Sequence, residues 1–84
     1  TKPEGVAEQT RQTLKNVRAI LEAAGASMDH VVKVTAHLQE VTKDFRAFNE
    51  VYREFFKEPF PVRTTVGSDL LDILVEIDVI AELD

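Results

Sequence analysis

Phe60-Pro61-Val62-Arg63-Thr64-Thr65-Val66, followed after a short break by Leu74-Val75-Glu76-Ile77-Asp78-Val79-Ile80-Ala81, decides how this chain is read. Both runs are rich in β-branched residues, so each predicts a strand. Each also sets a charge among residues that favour burial. The guanidinium of Arg63 offers a planar fork of donors that matches a carboxylate or phosphate. The carboxylate of Glu76, on a neighbouring strand, suits either pairing with that arginine or handling a proton or a water beside it. On the residues alone two readings stand: a structural ion pair across strands, at an interface between subunits, or a small-anion active site.

Working outward, Gly67-Ser68-Asp69 reads as a turn between the two strands. The last strand extends over about residues 72–83, with Ile73, Val75, Ile77, Val79, Ala81 and Leu83 on one face and Leu74, Glu76, Asp78, Ile80 and Glu82 on the other. Upstream, Val41, Phe45, Phe48, Tyr52 and Phe55 recur at helical spacing, which predicts a helix over residues 43–56 with Thr42 as its N-cap. Lys57-Glu58-Pro59-Phe60-Pro61 stops it, because a residue before proline is pushed toward extended geometry. Residues 31–38 predict a strand with Val32, Val34, Ala36 and Leu38 on one face and Val31, Lys33, Thr35 and His37 on the other. Residues 6–24 predict a helix whose stripe is Val6, Leu14, Val17, Leu21 and Ala24, closed by Gly25 in a left-handed C-cap. Thr1-Lys2-Pro3-Glu4-Gly5 reads as a turn-rich lead-in.

The order α-β-α-β-β predicts a single α+β domain over residues 1–84, with two amphipathic helices covering one face of a sheet. Three strands are few for two helices, and the second face mixes Leu74 and Ile80 with acids. Both features point to further strands or to an oligomer. A chain of 84 residues buries only about 60–65% of its unfolded surface and is marginal alone.

The chain has 10 basic and 15 acidic residues, a formal charge of −5, and no cysteine. Disulfides and thiolate metal sites are thereby excluded. The acidic balance and scattered Lys and Arg argue against nucleic acid as a main partner, since binding it requires phosphate neutralisation. No signal peptide and no membrane-spanning run are read, so a cytoplasmic location is expected.

The order and motifs together resemble the RidA (YjgF) family of small enamine/imine deaminases, also known as the endoribonuclease L-PSP family. The matching pieces begin with Val6-Ala7-Glu8-Gln9-Thr10-Arg11-Gln12-Thr13-Leu14-Lys15-Asn16-Val17, Leu21-Glu22-Ala23-Ala24-Gly25 and Val31-Val32-Lys33-Val34-Thr35. They continue with Phe48-Asn49-Glu50-Val51-Tyr52-Arg53-Glu54-Phe55-Phe56 and the two strands quoted above. The resemblance implies a chorismate-mutase-like α+β fold and a homotrimer with sites between subunits. It assigns carboxylate binding to Arg63 and water handling to Glu76, making these the candidate catalytic pair, and adds Asn49, Thr65 and Tyr52 as substrate-binding residues. It also implies no metal and no cofactor, because an imine is already electrophilic.

The chain departs from the family pattern in two places. The family's opening strands, with a glycine-rich tyrosine motif and a Ser-Gly-Gln-like motif, have no counterpart, so the chain looks like the last two-thirds of the family unit. The loop Gly67-Ser68-Asp69-Leu70-Leu71-Asp72 also lacks the usual Leu-Pro turn.

Other residues read as structural. Asn49 sits mid-helix, where asparagine is a poor helix former, and Tyr52 continues the aromatic core stripe. Asp78 and Glu82 read as solvated or interface charges. His30 and His37 read as turn or surface residues on opposite sides, unable to share a metal. Ser27 and Ser68 have no evident base, which argues against a hydrolase triad.

The expected activity is 2-iminobutanoate/2-iminopropanoate deamination, with a small 2-imino or 2-oxo acid as ligand. The alternatives are a non-catalytic small-carboxylate-binding or regulatory module and, third, an RNA-cleaving or translation-inhibiting activity.

Overall fold

A computed structural model describes residues 5–58, 60–70 and 73–82. The elements are α1 (Val6–Ala23), a 3-10 turn (Met28–His30), β1 (Val31–Leu38), α2 (Val41–Phe55), β2 (Val62–Gly67) and β3 (Val75–Ala81). This is the α-β-α-β-β order that the sequence predicts. The lead-in at residues 1–4, Pro59 in the helix stop and the ends of the expected last strand at Asp72 and Leu83 lie outside the described residues. Among the described residues that strand begins only at Val75, with Ile73 and Leu74 in the approach to it.

Helix α1 ends as its glycine demands. Gly25 has φ of 84°, the Gly25 amide donates to the Glu22 carbonyl at 3.1 Å and the Ala26 amide to the Leu21 carbonyl at 2.8 Å. These are the two bonds of a Schellman motif. The next turn is capped in both directions. The Asp29 amide donates to Ser27 Oγ at 3.3 Å and the Ser27 amide donates to His30 Nδ1 at 3.0 Å, so His30 is indeed a turn residue.

Helix α2 starts two residues earlier than expected. Its N-cap is Glu40, whose carbonyl accepts the Asp44 amide at 2.9 Å, and Thr42 lies exposed in the first turn. The cause is the anchoring of Gln39. Its amide donates to the Leu74 carbonyl at 3.0 Å and its side-chain oxygen accepts from the Leu70 amide. The chain leaving β1 is thus fixed, and it turns at once into the helix.

The sheet order is β2-β1-β3, with β1 parallel to β2 and antiparallel to β3. The expected adjacency of the Arg63 and Glu76 strands is therefore overturned: β1 lies between them. The unit β1-α2-β2 is a parallel crossover, which needs a helix-length connection, and this sends β3 to the opposite edge. Leu14, Val34, Ala36, Leu38 and Phe48 are fully buried between the helices and one sheet face. The opposite face carries Lys33, Thr35, His37, Glu76 and Asp78, together with Val62 at 68% and Ile80 at 55% exposure. Among the described residues nothing covers that face.

One detail of β1 departs from simple alternation. The β1–β3 register shifts between Val31 and Lys33, a bulge that puts two residues against one and re-aims the side chains before it. Val31 is consequently 5% exposed and Val32 40%, the reverse of the expected faces. Val31→Ala should cost about 2 kcal/mol in urea unfolding, and Val32→Ala less than about 0.5 kcal/mol. Equal costs would contradict the bulge.

Candidate functional site

The register of β2 against β1 sets Arg63 opposite Val34, so its side chain rises on the helix-covered face. Helix α2 lies over it and presents Phe45, Phe48, Asn49 and Tyr52, spaced i, i+3, i+4 and i+7, which share one stripe of a helix. The guanidinium carbon sits 4.6 Å from the Tyr52 ring centroid, 5.6 Å from that of Phe45 and 5.9 Å from that of Phe48. All three fall within the reach of a cation–π attraction, about 6 Å. Arg63 Nη1 donates to Asn49 Oδ1 at 2.6 Å. Asparagine at mid-helix thus has a purpose that outweighs its low propensity: it aims the arginine.

A guanidinium carries five N–H donors, and the Asn49 bond engages one of them. Among the described residues no carboxylate pairs with Arg63. Its head borders a cleft of about 500 Å³ lined by Asn49, Tyr52, Arg53, Phe60, Pro61 and Arg63. An arginine half-buried against aromatic rings, oriented by a neutral amide and open to a cleft, is arranged to receive an anion.

Two further polar atoms stand beside this group. Tyr52 Oη and Thr65 Oγ1 are both buried with no hydrogen-bond partner among the described residues. Thr65 follows Arg63 by two positions on the same strand face, opposite buried Ala36, and it does not line the cleft. Burial pushes the Tyr52 phenol above its ordinary pKa, while the charge of Arg63 draws it partly back. Each unpaired buried group costs about 1–3 kcal/mol, and such groups gather where a ligand or partner completes them.

The chain thus brings together Arg63, Asn49 and Tyr52, with Thr65 alongside. Glu76 is elsewhere. It stands opposite His37 on β1, exposed on the uncovered sheet face. Within one chain Arg63 and Glu76 are separated by a strand and by the thickness of the sheet, so no ion pair links them. Sequence reasoning also missed Arg53, Phe60 and Pro61 in the cleft. Arg53 was signalled by its position one turn after Asn49.

The expectation that neither serine has a base nearby fails as well. Ser68 Oγ lies 2.9 Å from His37 Nδ1, and Ser27 Oγ 3.3 Å from His30 Nδ1. The first contact is set by the sheet, because the Ser68 amide donates to the Leu38 carbonyl at 3.0 Å and draws the end of β2 alongside His37. Among the described residues, no helix is long and apolar enough to cross a membrane.

Residues 1–83 match the family model described as Endoribonuclease L-PSP. A RutC family protein of Pyrococcus horikoshii is 49% identical over 78 residues, covering 90% of this chain and 61% of the relative. A protein of Dermatophagoides farinae named 2-iminobutanoate/2-iminopropanoate deaminase is 44% identical over 62 residues, covering 74% of this chain and 48% of that protein. Among solved structures, that of E. coli TdcF with bound serine superimposes with a TM-score of 0.89 at 38% identity, covering 98% of this chain and 68% of TdcF. The chain spans about three-fifths of the length of the curated relatives it matches.

The unpaired phenol gives a direct check on the cleft. Tyr52→Phe removes an oxygen that has no partner among the described residues, so thermal and urea stability should hold or rise, by up to about 3 kcal/mol. A loss above about 2 kcal/mol would mean that the hydroxyl is already satisfied.

Proposed function

Because the chain belongs to the Endoribonuclease L-PSP family, we propose that it hydrolyses small 2-imino acids to 2-oxo acids and ammonia. The observation that carries this reading is the Arg63 fork, aimed by Asn49 and backed by three aromatic rings, with no carboxylate partner among the described residues. A 2-imino acid such as 2-iminopropanoate presents the carboxylate that such a fork binds through two parallel hydrogen bonds. Fixing that end places the C=N carbon, so that a water attacks at close range and in one orientation.

Glu76 is the proposed acceptor of the water's proton, a role worth about 10²–10⁴-fold. The C–O bond forms as the C=N π pair moves to nitrogen, which takes a proton. The carbinolamine then expels ammonia and leaves the 2-oxo acid. Net, one water is consumed and no electrons are exchanged.

Since Arg63 and Glu76 occupy opposite faces of one chain, this mechanism requires Glu76 from a second copy. A cyclic homotrimer supplies it, and a ring of heterologous contacts also covers the open sheet face with its exposed Val62 and Ile80. The cytoplasm is the proposed location.

The serine-bound relative favours a second reading, in which the same clamp holds a small amino or oxo acid without chemistry. The two readings separate on turnover. The family's endoribonuclease description raises RNA cleavage, but the −5 charge gives phosphates little to bind.

Ammonia release from enzymatically generated 2-iminopropanoate is the test. Arg63→Lys keeps the charge and loses the fork, so turnover should fall about 10–100-fold; near-normal turnover would remove the clamp from the mechanism. Glu76→Gln should retain binding of a 2-oxo acid while turnover drops by about 10² or more. Loss of assembly in place of that split would return Glu76 to a structural role.

A further inference from the structure

The open sheet face holds a group that the imine chemistry leaves only partly used. His37, Glu76 and Asp78 each bring one ligand atom within 4.8 Å of the others. We propose that these three side chains form a binding site for a divalent transition-metal ion, with Ser68 as the group that orients the imidazole. The expectation of no metal rested on the electrophilicity of an imine and on the spacing of His30 and His37. It did not weigh a strand pairing that sets His37 directly against Glu76.

Four features carry the inference. First, the strand pairing places all three: Glu76 and Asp78 are two apart on β3 and share a face, and β1 sets His37 directly opposite Glu76 and diagonal to Asp78. Secondly, His37 Nδ1 is engaged by Ser68 Oγ at 2.9 Å. With the proton on Nδ1 donated to that hydroxyl, Nε2 is left as a lone-pair donor toward the two acids. A metal-binding histidine is typically fixed in this way through its second nitrogen.

Thirdly, His37 Nε2 and Asp78 Oδ2 are 3.7 Å apart. This is too long for a hydrogen bond. It is within a few tenths of an ångström of the separation, about 3.4 Å, between two ligands that each bind one ion at about 2.0–2.2 Å. Fourthly, among the described residues neither acid is paired with a lysine or arginine, so two neighbouring negative charges go uncompensated.

A neutral imidazole with two carboxylates supplies charge −2 and a mixed nitrogen and oxygen donor set. That set favours ions such as Zn²⁺, Co²⁺ or Mn²⁺ over Ca²⁺ or Mg²⁺, which take oxygen ligands. Three protein ligands leave the remaining positions to water or to a group of the neighbouring copy that covers this face in the proposed trimer. Where Glu76 also accepts a proton in imine hydrolysis, cation and proton compete for one carboxylate, so the test reads binding alone.

The full chain, stripped of metal with a chelator, is titrated with Co²⁺ by calorimetry and by its visible d–d absorption. The expected result is one ion per chain, with affinity at least tenfold weaker in His37→Gln and in Asp78→Asn. Ser68→Ala, which removes no ligand, should weaken binding by about 10-fold or more through loss of the imidazole's orientation. Circular dichroism of each variant checks the fold. Absence of saturable binding by the parent chain overturns the site, as does parent-like affinity in folded Asp78→Asn or His37→Gln. Parent-like affinity in Ser68→Ala overturns the orienting role.

Discussion

Strand β1 is bonded to a parallel neighbour on one side and an antiparallel one on the other, and the rest of the molecule depends on that pairing. It forces the crossover through α2, lays that helix over β2, and leaves β3 on the far edge. Arg63 then has no choice but to sit beneath α2, and Glu76 no choice but to face away from it. The two charges that stand out in the sequence are kept apart by the same strand that organises the fold. In the proposed mechanism the two faces carry complementary halves of one site, which association between copies completes.

The energetics of the helix-covered half follow from where its charge is held. A guanidinium withdrawn from water loses hydration, and here three aromatic faces and one amide oxygen offset part of that loss. None of these groups neutralises the charge. A carboxylate among the surrounding residues would have satisfied Arg63 within its own chain and left nothing for a ligand. The neutral partner Asn49 and the oxygens of Tyr52 and Thr65, unpaired among the described residues, keep the pocket unsatisfied, at some cost to the stability of an 84-residue chain.

How far this could be read in advance varies residue by residue. The helices and strands were legible because their apolar periods, 3.6 and 2, are unambiguous over most of each element, and Gly25 marked a helix end for a clear steric reason. A period of two says which side chains share a face but not which strand lies alongside, so the separation of Arg63 from Glu76 was invisible. The bulge at Val31 and Val32 was equally hidden, because two adjacent valines fit either face. Thr42 looked like the cap of α2 since nothing local reveals that Gln39 is tied to Leu70 and Leu74. The contact of Ser68 with His37 spans 31 positions and arises from strand register alone. Arg63 stood out from its strand context alone, Asn49 and Tyr52 were identified through the family resemblance, and the geometry gives the physical reason they belong together.

The central claim is that Arg63 of one copy works with Glu76 of another. Co-expression of Arg63→Ala and Glu76→Gln chains, each inactive alone, tests it most directly. If each site takes one residue from each of two neighbours, random assortment into trimers restores ammonia release to about a quarter of the parent rate. No recovery in mixed trimers that demonstrably contain both chains would contradict the account.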